Sequence, residues 1–148
     1  MPDDPITLGR DVVTRLISSL HEGVFRATRG QVLGETLGMP VVLVTTTGAR
    51  SGEPRSVMLT TPVSDDTSIL LVASNGGRAR HPGWFHNISA HPDVTVMRDG
   101  SERPMRARIL KPAERKRMWT AVVKRYPGYA QYQSHTDREI QLVMLDAT

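Results

Sequence analysis

Met39-Pro40-Val41-Val42-Leu43-Val44-Thr45-Thr46-Thr47 runs without a break into Gly48-Ala49-Arg50-Ser51-Gly52-Glu53-Pro54, and extended character resumes from Arg55 to Pro62. Val and Thr dominate the first segment, as β-branched residues do in strands. Gly48, Gly52 and Pro54 mark a turn, so Arg55–Pro62 reads as a returning antiparallel partner. Asp65-Asp66 makes the next turn and Ser68–Ala73 another strand. A doubly wound parallel fold needs a helical crossover between successive strands, and these connections are too short to hold one.

Working outward, His81–Ala90 suits a short helix with Pro82 in its first turn and Asn87 near its end. Val94–Arg98, the Asp99-Gly100 turn and Arg103–Leu110 form a hairpin. In its second strand Met105, Ala107 and Ile109 alternate with Arg106 and Arg108, which predicts one apolar and one basic face. Pro112 opens a helix through Arg125 with an apolar stripe of Met118, Trp119, Val122 and Val123. Tyr126, Tyr129 and Tyr132 follow at three-residue spacing and share a face if that segment is helical or 3₁₀. Ile140–Leu145 closes the chain as a strand. Upstream, Val12, Val13, Leu16, Ile17 and Leu20 predict an amphipathic helix over residues 11–22, and Thr28–Gly38 reads as an irregular approach to the first strand. The expected class is mainly β with peripheral helices (α+β), a small barrel or strongly curved sheet in one domain spanning 1–148.

Composition narrows the chemistry. There is no cysteine, so disulfides, thiolate metal sites and cysteine nucleophiles are excluded, which suits a reducing cytoplasm. No apolar run approaches the ~20 residues needed to span a bilayer, and Met1-Pro2-Asp3-Asp4-Pro5 lacks the architecture of a signal peptide. A formal charge of +4 fits solubility, a local anion site, or attraction to acidic membranes or nucleic acid, and does not choose among them.

The first loop is neither a Walker A motif nor a Gly-x-Gly-x-x-Gly fingerprint. Its Arg50, Ser51 and Arg55 suit phosphate or carboxylate, yet a plain polar turn needs nothing more than Gly and Pro. Ala73-Ser74-Asn75-Gly76-Gly77-Arg78-Ala79-Arg80-His81-Pro82 is a second glycine-bearing basic loop, and two such loops at one sheet rim strengthen the ligand reading. Trp84 and Phe85 suit either core packing or stacking on a planar group. His81, His86 and His91 recur every five residues, which does not gather them on one helical face for zinc. No Gly-x-Ser-x-Gly elbow or carboxylate pair organises hydrolysis. Arg103, Arg106 and Arg108, with Arg115, Lys116 and Arg117, make a basic surface, but no nucleic-acid-binding module emerges, and none is expected as a partner.

Taken in order, Thr45–Arg55, Ala73–Gly77, His81-Pro82-Gly83-Trp84-Phe85-His86-Asn87, Tyr126-Pro127-Gly128-Tyr129-Ala130-Gln131-Tyr132-Gln133 and Thr136-Asp137-Arg138-Glu139-Ile140 resemble the deazaflavin-dependent nitroreductase family of actinobacteria. The resemblance covers about Val41–Leu145. It implies a flavin-binding split β-barrel and a reductase that uses coenzyme F420, a deazaflavin with an anionic tail; FMN is the second candidate. The implied activity is hydride transfer to quinone, enone or nitroaromatic acceptors.

On that resemblance Arg50, Ser51 and Arg55 would serve the phosphate and tail, helped by the backbone at Gly48 and Gly52. Ala73, Ser74, Asn75 and Gly76 would border the deazaflavin, with Trp84 near the ring. Tyr126, Tyr129 and Tyr132 would border the substrate cavity, and Tyr129 and Tyr132 would orient an acceptor or deliver a proton. Ala49-Arg50 stands where family members commonly have Arg-Lys, Asn75 where lysine is common, and Phe85 where tyrosine is often found. Loss of those cations would weaken binding of the tail unless Arg78 and Arg80 compensate. A noncatalytic carrier of deazaflavin or of an apolar ligand is the alternative function. Expected partners are a small conjugated acceptor and, through the N-terminal helix, the inner face of the plasma membrane; the expected state is monomer or homodimer.

Overall fold

The computed structural model describes residues 35–36 and 38–148. The helix expected over 11–22 and most of the approach to the first strand lie outside the described residues. Within the described residues seven strands form one antiparallel sheet: β1 Glu35–Thr36, β2 Met39–Thr47, β3 Pro54–Thr60, β4 Ser68–Val72, β5 Asp93–Arg98, β6 Ser101–Ile109 and β7 Leu142–Ala147. Among the described residues, three α-helices, α1 Gly83–Ala90, α2 Pro112–Arg125 and α3 Gly128–Ser134, pack on it. The strand order is β1-β2-β5-β6-β7-β4, with β3 paired to β2 from Val41 opposite Thr60 to Thr47 opposite Pro54. This is the expected mainly β split barrel with peripheral helices.

Period-two burial explains why the strands read as continuous apolar runs. In β4, Ile69 and Leu71 face one cluster, while Leu70 and Val72 face another. The first cluster fills the inside of the curved sheet with Val42, Val44, Val94, Val96, Met105 and Val143, and Trp84 and Ile88 of α1 plug it. The second joins Leu110, Ile140 and Leu142 to Val122 of α2 and Tyr129 of α3, with Met118 and Trp119 packed against it.

Two details depart from the sequence pattern. Ile109 is the last residue of β6 and is 41% exposed, and Leu110 takes the buried place instead. The last strand begins at Leu142, not Ile140, because the Ile140 amide and carbonyl are taken by Gln133 Oε1 and Arg115 Nε, both at 2.9 Å. The arginines of β6 are engaged locally: Arg106 with Asp93, Arg108 with Glu114 and Asp146, and Arg103 with the Asp66 carbonyl.

The gap in the barrel positions the site. Just after β3, Ser64 bridges Ile69, the Leu70 amide donates to Val63 O at 2.9 Å, and Thr61 Oγ1 lies 2.8 Å from Leu70 O. Beyond these contacts the strands part, and among the described residues no ladder joins β3 to β4. The sheet is therefore open between Arg55–Leu59 on one side and Val72–Gly76 on the other.

Candidate functional site

A cleft of ≈ 1480 Å³ occupies this opening, with both glycine loops and α1 as its walls. The loop joining β2 to β3 is closed by Gly48 N–H to Glu53 O (2.8 Å) and Gly52 N–H to Gly48 O (2.9 Å). Gly52, at φ +71°, makes the reversal that an L side chain would strain. Asn87 near the end of α1 pins this loop: its Oδ1 accepts from the Ala49 amide at 2.9 Å, and its Nδ2 donates to Thr46 Oγ1 at 3.1 Å. The Thr46 hydroxyl in turn donates to Arg55 O. Gly48, Arg50, Ser51 and Arg55 line the cleft.

The second loop turns through Asn75, Gly76 and Gly77, all at positive φ, with Gly77 N–H to Ser74 O at 2.9 Å. Asn75 Nδ2 donates to Arg80 O at 3.0 Å, so this asparagine shapes its own loop instead of projecting a charge. Gly77 lies against α3; a Cβ there would sit 2.7 Å from Tyr132 O. Ser74, Asn75, Gly76, Arg78 and Trp84 line the cleft. Trp84 packs in the barrel core and also borders the opening. Gly52 and Ala73 do not line the cleft, because Gly52 forms the turn's reversal and Ala73 is fully buried at the strand end. Nor does Arg80, whereas Arg78 does.

The three tyrosines come together. Tyr126 and Tyr129 meet edge to face with centroids 5.2 Å apart, and Tyr129 and Tyr132 do so at 6.1 Å. They line a recess of ≈ 170 Å³ with Met39 and Thr60. Leu59, Val72, Ser74 and Gly76 border both the recess and the cleft, so the two adjoin. Tyr129 is 5% exposed, and its hydroxyl lies 2.9 Å from Thr60 Oγ1. Burial pushes its phenol above the ordinary value, with the Thr60 hydrogen bond acting in the opposite direction.

Asn87 and Arg138 carry roles that the sequence pattern did not assign. Arg138 reaches Ser74 O (2.8 Å), Arg78 O (3.0 Å) and Ala73 O (3.1 Å). His81 Nδ1 is 3.4 Å from the same guanidinium. Burial, then the charges of Arg138 and His86, hold His81 below its ordinary pKa, favouring neutral imidazole. Thr46, Ser56, Val57 and Leu59 also line the cleft and were not singled out; they are ordinary strand residues until the opening beside β3 is known.

Chemically, the cleft is lined by apolar Val57, Leu59, Val72 and Trp84, by Arg50, Ser51 and Arg55 at the end formed by the first loop, and by Arg78 of the second loop. That combination suits a flat apolar ring carrying an anionic extension. Among the described residues, no group of three or more His, Cys, Asp or Glu side chains is placed to hold a metal.

Residues 18–147 match the family model described as F420H(2)-dependent quinone reductase. An F420H(2)-dependent quinone reductase of Mycobacterium tuberculosis is 36% identical over 142 residues, covering 93% of this chain and 94% of that one. The solved structure of an F420-H2 dependent reductase (FDR-A) superposes with a TM-score of 0.65 at 42% identity, over 72% of this chain and 94% of that chain. A further structure, described as a domain-swapped dimer, has a TM-score of 0.65 at 34% identity and covers 97% of this chain and all of the other.

Proposed function

Because the chain belongs to the F420H(2)-dependent quinone reductase family, we propose that the opening between β3 and β4 holds its cofactor and the tyrosine recess its acceptor. The protein is an F420H2-dependent oxidoreductase of the quinone/nitroreductase type, and its cofactor is coenzyme F420. The observation that carries the site assignment is adjacency: a cleft with an apolar wall and an arginine-bearing end adjoins an aromatic recess.

In this reading Arg50, Ser51 and Arg55 bind the anionic phosphate and tail, with charge-assisted hydrogen bonds from the guanidinium groups. Ser74, Asn75 and Gly76 border the ring, and Trp84 packs beside it. When bound in reduced form, the cofactor supplies a hydride to a conjugated acceptor such as a quinone, which takes up a proton to complete a two-electron reduction. The chain needs no nucleophile for this. Its residues exclude water and align the acceptor, and Tyr132 orients the acceptor or passes it a proton. Tyr129 supports that face through its Thr60 contact.

Equilibrium binding of apo protein to oxidised F420 and to FMN, followed by stopped-flow oxidation of bound F420H2 by menadione and cyclic enones, tests the assignment. Binding of F420 with acceptor-dependent oxidation is expected. Tight FMN binding with no F420 binding overturns it, and F420 binding without turnover over the acceptor panel favours a carrier.

A homodimer is the assembly supported by the domain-swapped dimer of the structural relative, and light scattering tests it. No helix among the described residues is long and apolar enough to cross a membrane. Peripheral contact would rest on the segment before Val24, and liposome co-sedimentation with and without that segment tests it.

A further inference from the structure

We propose that Arg138 is a positioning residue that locks the cofactor loop to the tyrosine helix and so sets the distance between cofactor and acceptor. This rests on the site assignment above. Arg138 donates from all three guanidinium nitrogens to carbonyls of the second loop: Nε to Arg78, Nη1 to Ala73 and Nη2 to Ser74. One planar fork thus holds both ends of the Ser74–Gly77 turn. A lysine ammonium is a point donor and cannot reproduce that span.

Arg138 is itself held by α3. Gln133, the residue after Tyr132, donates from Nε2 to Arg138 O at 2.7 Å and accepts from the Ile140 amide at 2.9 Å. Gly77 supplies a second, independent contact, because its missing Cβ lets the loop touch the Tyr132 backbone. The loop that borders the cleft and the helix that lines the recess therefore move as one body. The first loop has a separate anchor, Asn87, and Arg138 makes no hydrogen bond to it.

This division of anchors predicts a division of effects. Affinity is spread over the first loop and the cleft walls, whereas hydride transfer depends on how the second loop faces the tyrosines. A misplacement of about 1 Å can lower a transfer rate ~10²-fold while leaving binding nearly intact.

The test is Arg138→Lys, which keeps the charge and loses the fork. Amide hydrogen exchange of the cofactor-free protein should quicken within residues 73–81 and stay unchanged within 48–55. Single-turnover oxidation of F420H2 by menadione at saturating concentrations should slow at least ~10-fold, with the F420 Kd changed less than ~5-fold. Unchanged exchange in 73–81, or a parent-like transfer rate, overturns the proposal, as does a loss confined to Kd. If Arg138→Lys does not fold, Gln133→Glu breaks the link from α3 to the Arg138 carbonyl, and the same readouts decide. A parent protein that never oxidises F420H2 counts against the site assignment, while the exchange experiment still judges the clamp.

Discussion

The Asn87 side-chain oxygen accepts a hydrogen bond from the Ala49 amide at 2.9 Å, while its amide nitrogen reaches Thr46. One helix residue therefore fixes both the strand end and the loop that carries Arg50. Each such hydrogen bond is worth about 1 kcal/mol net. Asn87→Ala should weaken F420 binding about 5- to 30-fold, since each 1.4 kcal/mol is tenfold. Fluorescence titration checks this, and Asn87→Asp should recover only the part due to the Ala49 amide.

Adjacent glycines offer a paired test of the second loop. Gly76 has φ +63° and open space around it, whereas Gly77 has φ +78° and a backbone oxygen 2.7 Å from where a Cβ would stand. Gly76→Ala should cost about 1–2 kcal/mol, the left-handed penalty alone. Gly77→Ala should cost more, because Tyr132 must also shift. Urea unfolding of both variants gives the comparison, and equal losses would show that the close approach is easily relieved.

The raised pKa of Tyr129 has a defined pH consequence. The folded state holds this proton more tightly than the unfolded chain, whose phenol titrates near 10.0. Its contribution is complete below that value and is lost as pH rises through the higher folded pKa. Stability of the parent should therefore fall more steeply above pH 10 than that of Tyr129→Phe. Urea midpoints between pH 8 and 11.5 measure it, and parallel curves would remove Tyr129 as the cause.

Tyr132→Phe keeps the ring and removes the hydroxyl. Turnover should drop while F420 affinity is retained, read by steady-state kinetics beside the binding titration. Parent-like turnover would strip the hydroxyl of its part in the reaction.

Arg50 is exposed at the cleft's polar end. Arg50→Ala should weaken F420 but leave a deazaflavin lacking the anionic tail bound as before. The difference should shrink at high salt, because exposed charges are screened. Equal weakening of both ligands would place Arg50 near the ring instead.

The strands were legible because burial on two faces leaves unbroken Val, Leu and Thr runs, and because Asp99-Gly100 and Pro112 punctuate the chain unmistakably. The tyrosine spacing likewise survived, with Tyr129 and Tyr132 on α3 and Tyr126 capping the end of α2 beside them. Arg138 and Asn87 were not assigned because their work is done on distant carbonyls, amides and a hydroxyl, and such contacts impose no local pattern. Ala73 and Gly52 lie next to the cleft without lining it: the first is fully buried just past β4, and the second is exposed at the reversal of its turn. The gap between β3 and β4 is a property of the closed sheet, so no single strand announces it.

That gap has a cost for the empty protein. Among the described residues, the outer rims of β3 and β4 are unladdered where the cleft lies, and a bare strand rim is a template for pairing with another chain. A ligand seated there screens the rim, and at one hundred times its Kd adds about 2.7 kcal/mol to the folded state. Protein purified without the cofactor should therefore self-associate more readily than the cofactor-bound form, a difference that light scattering measures.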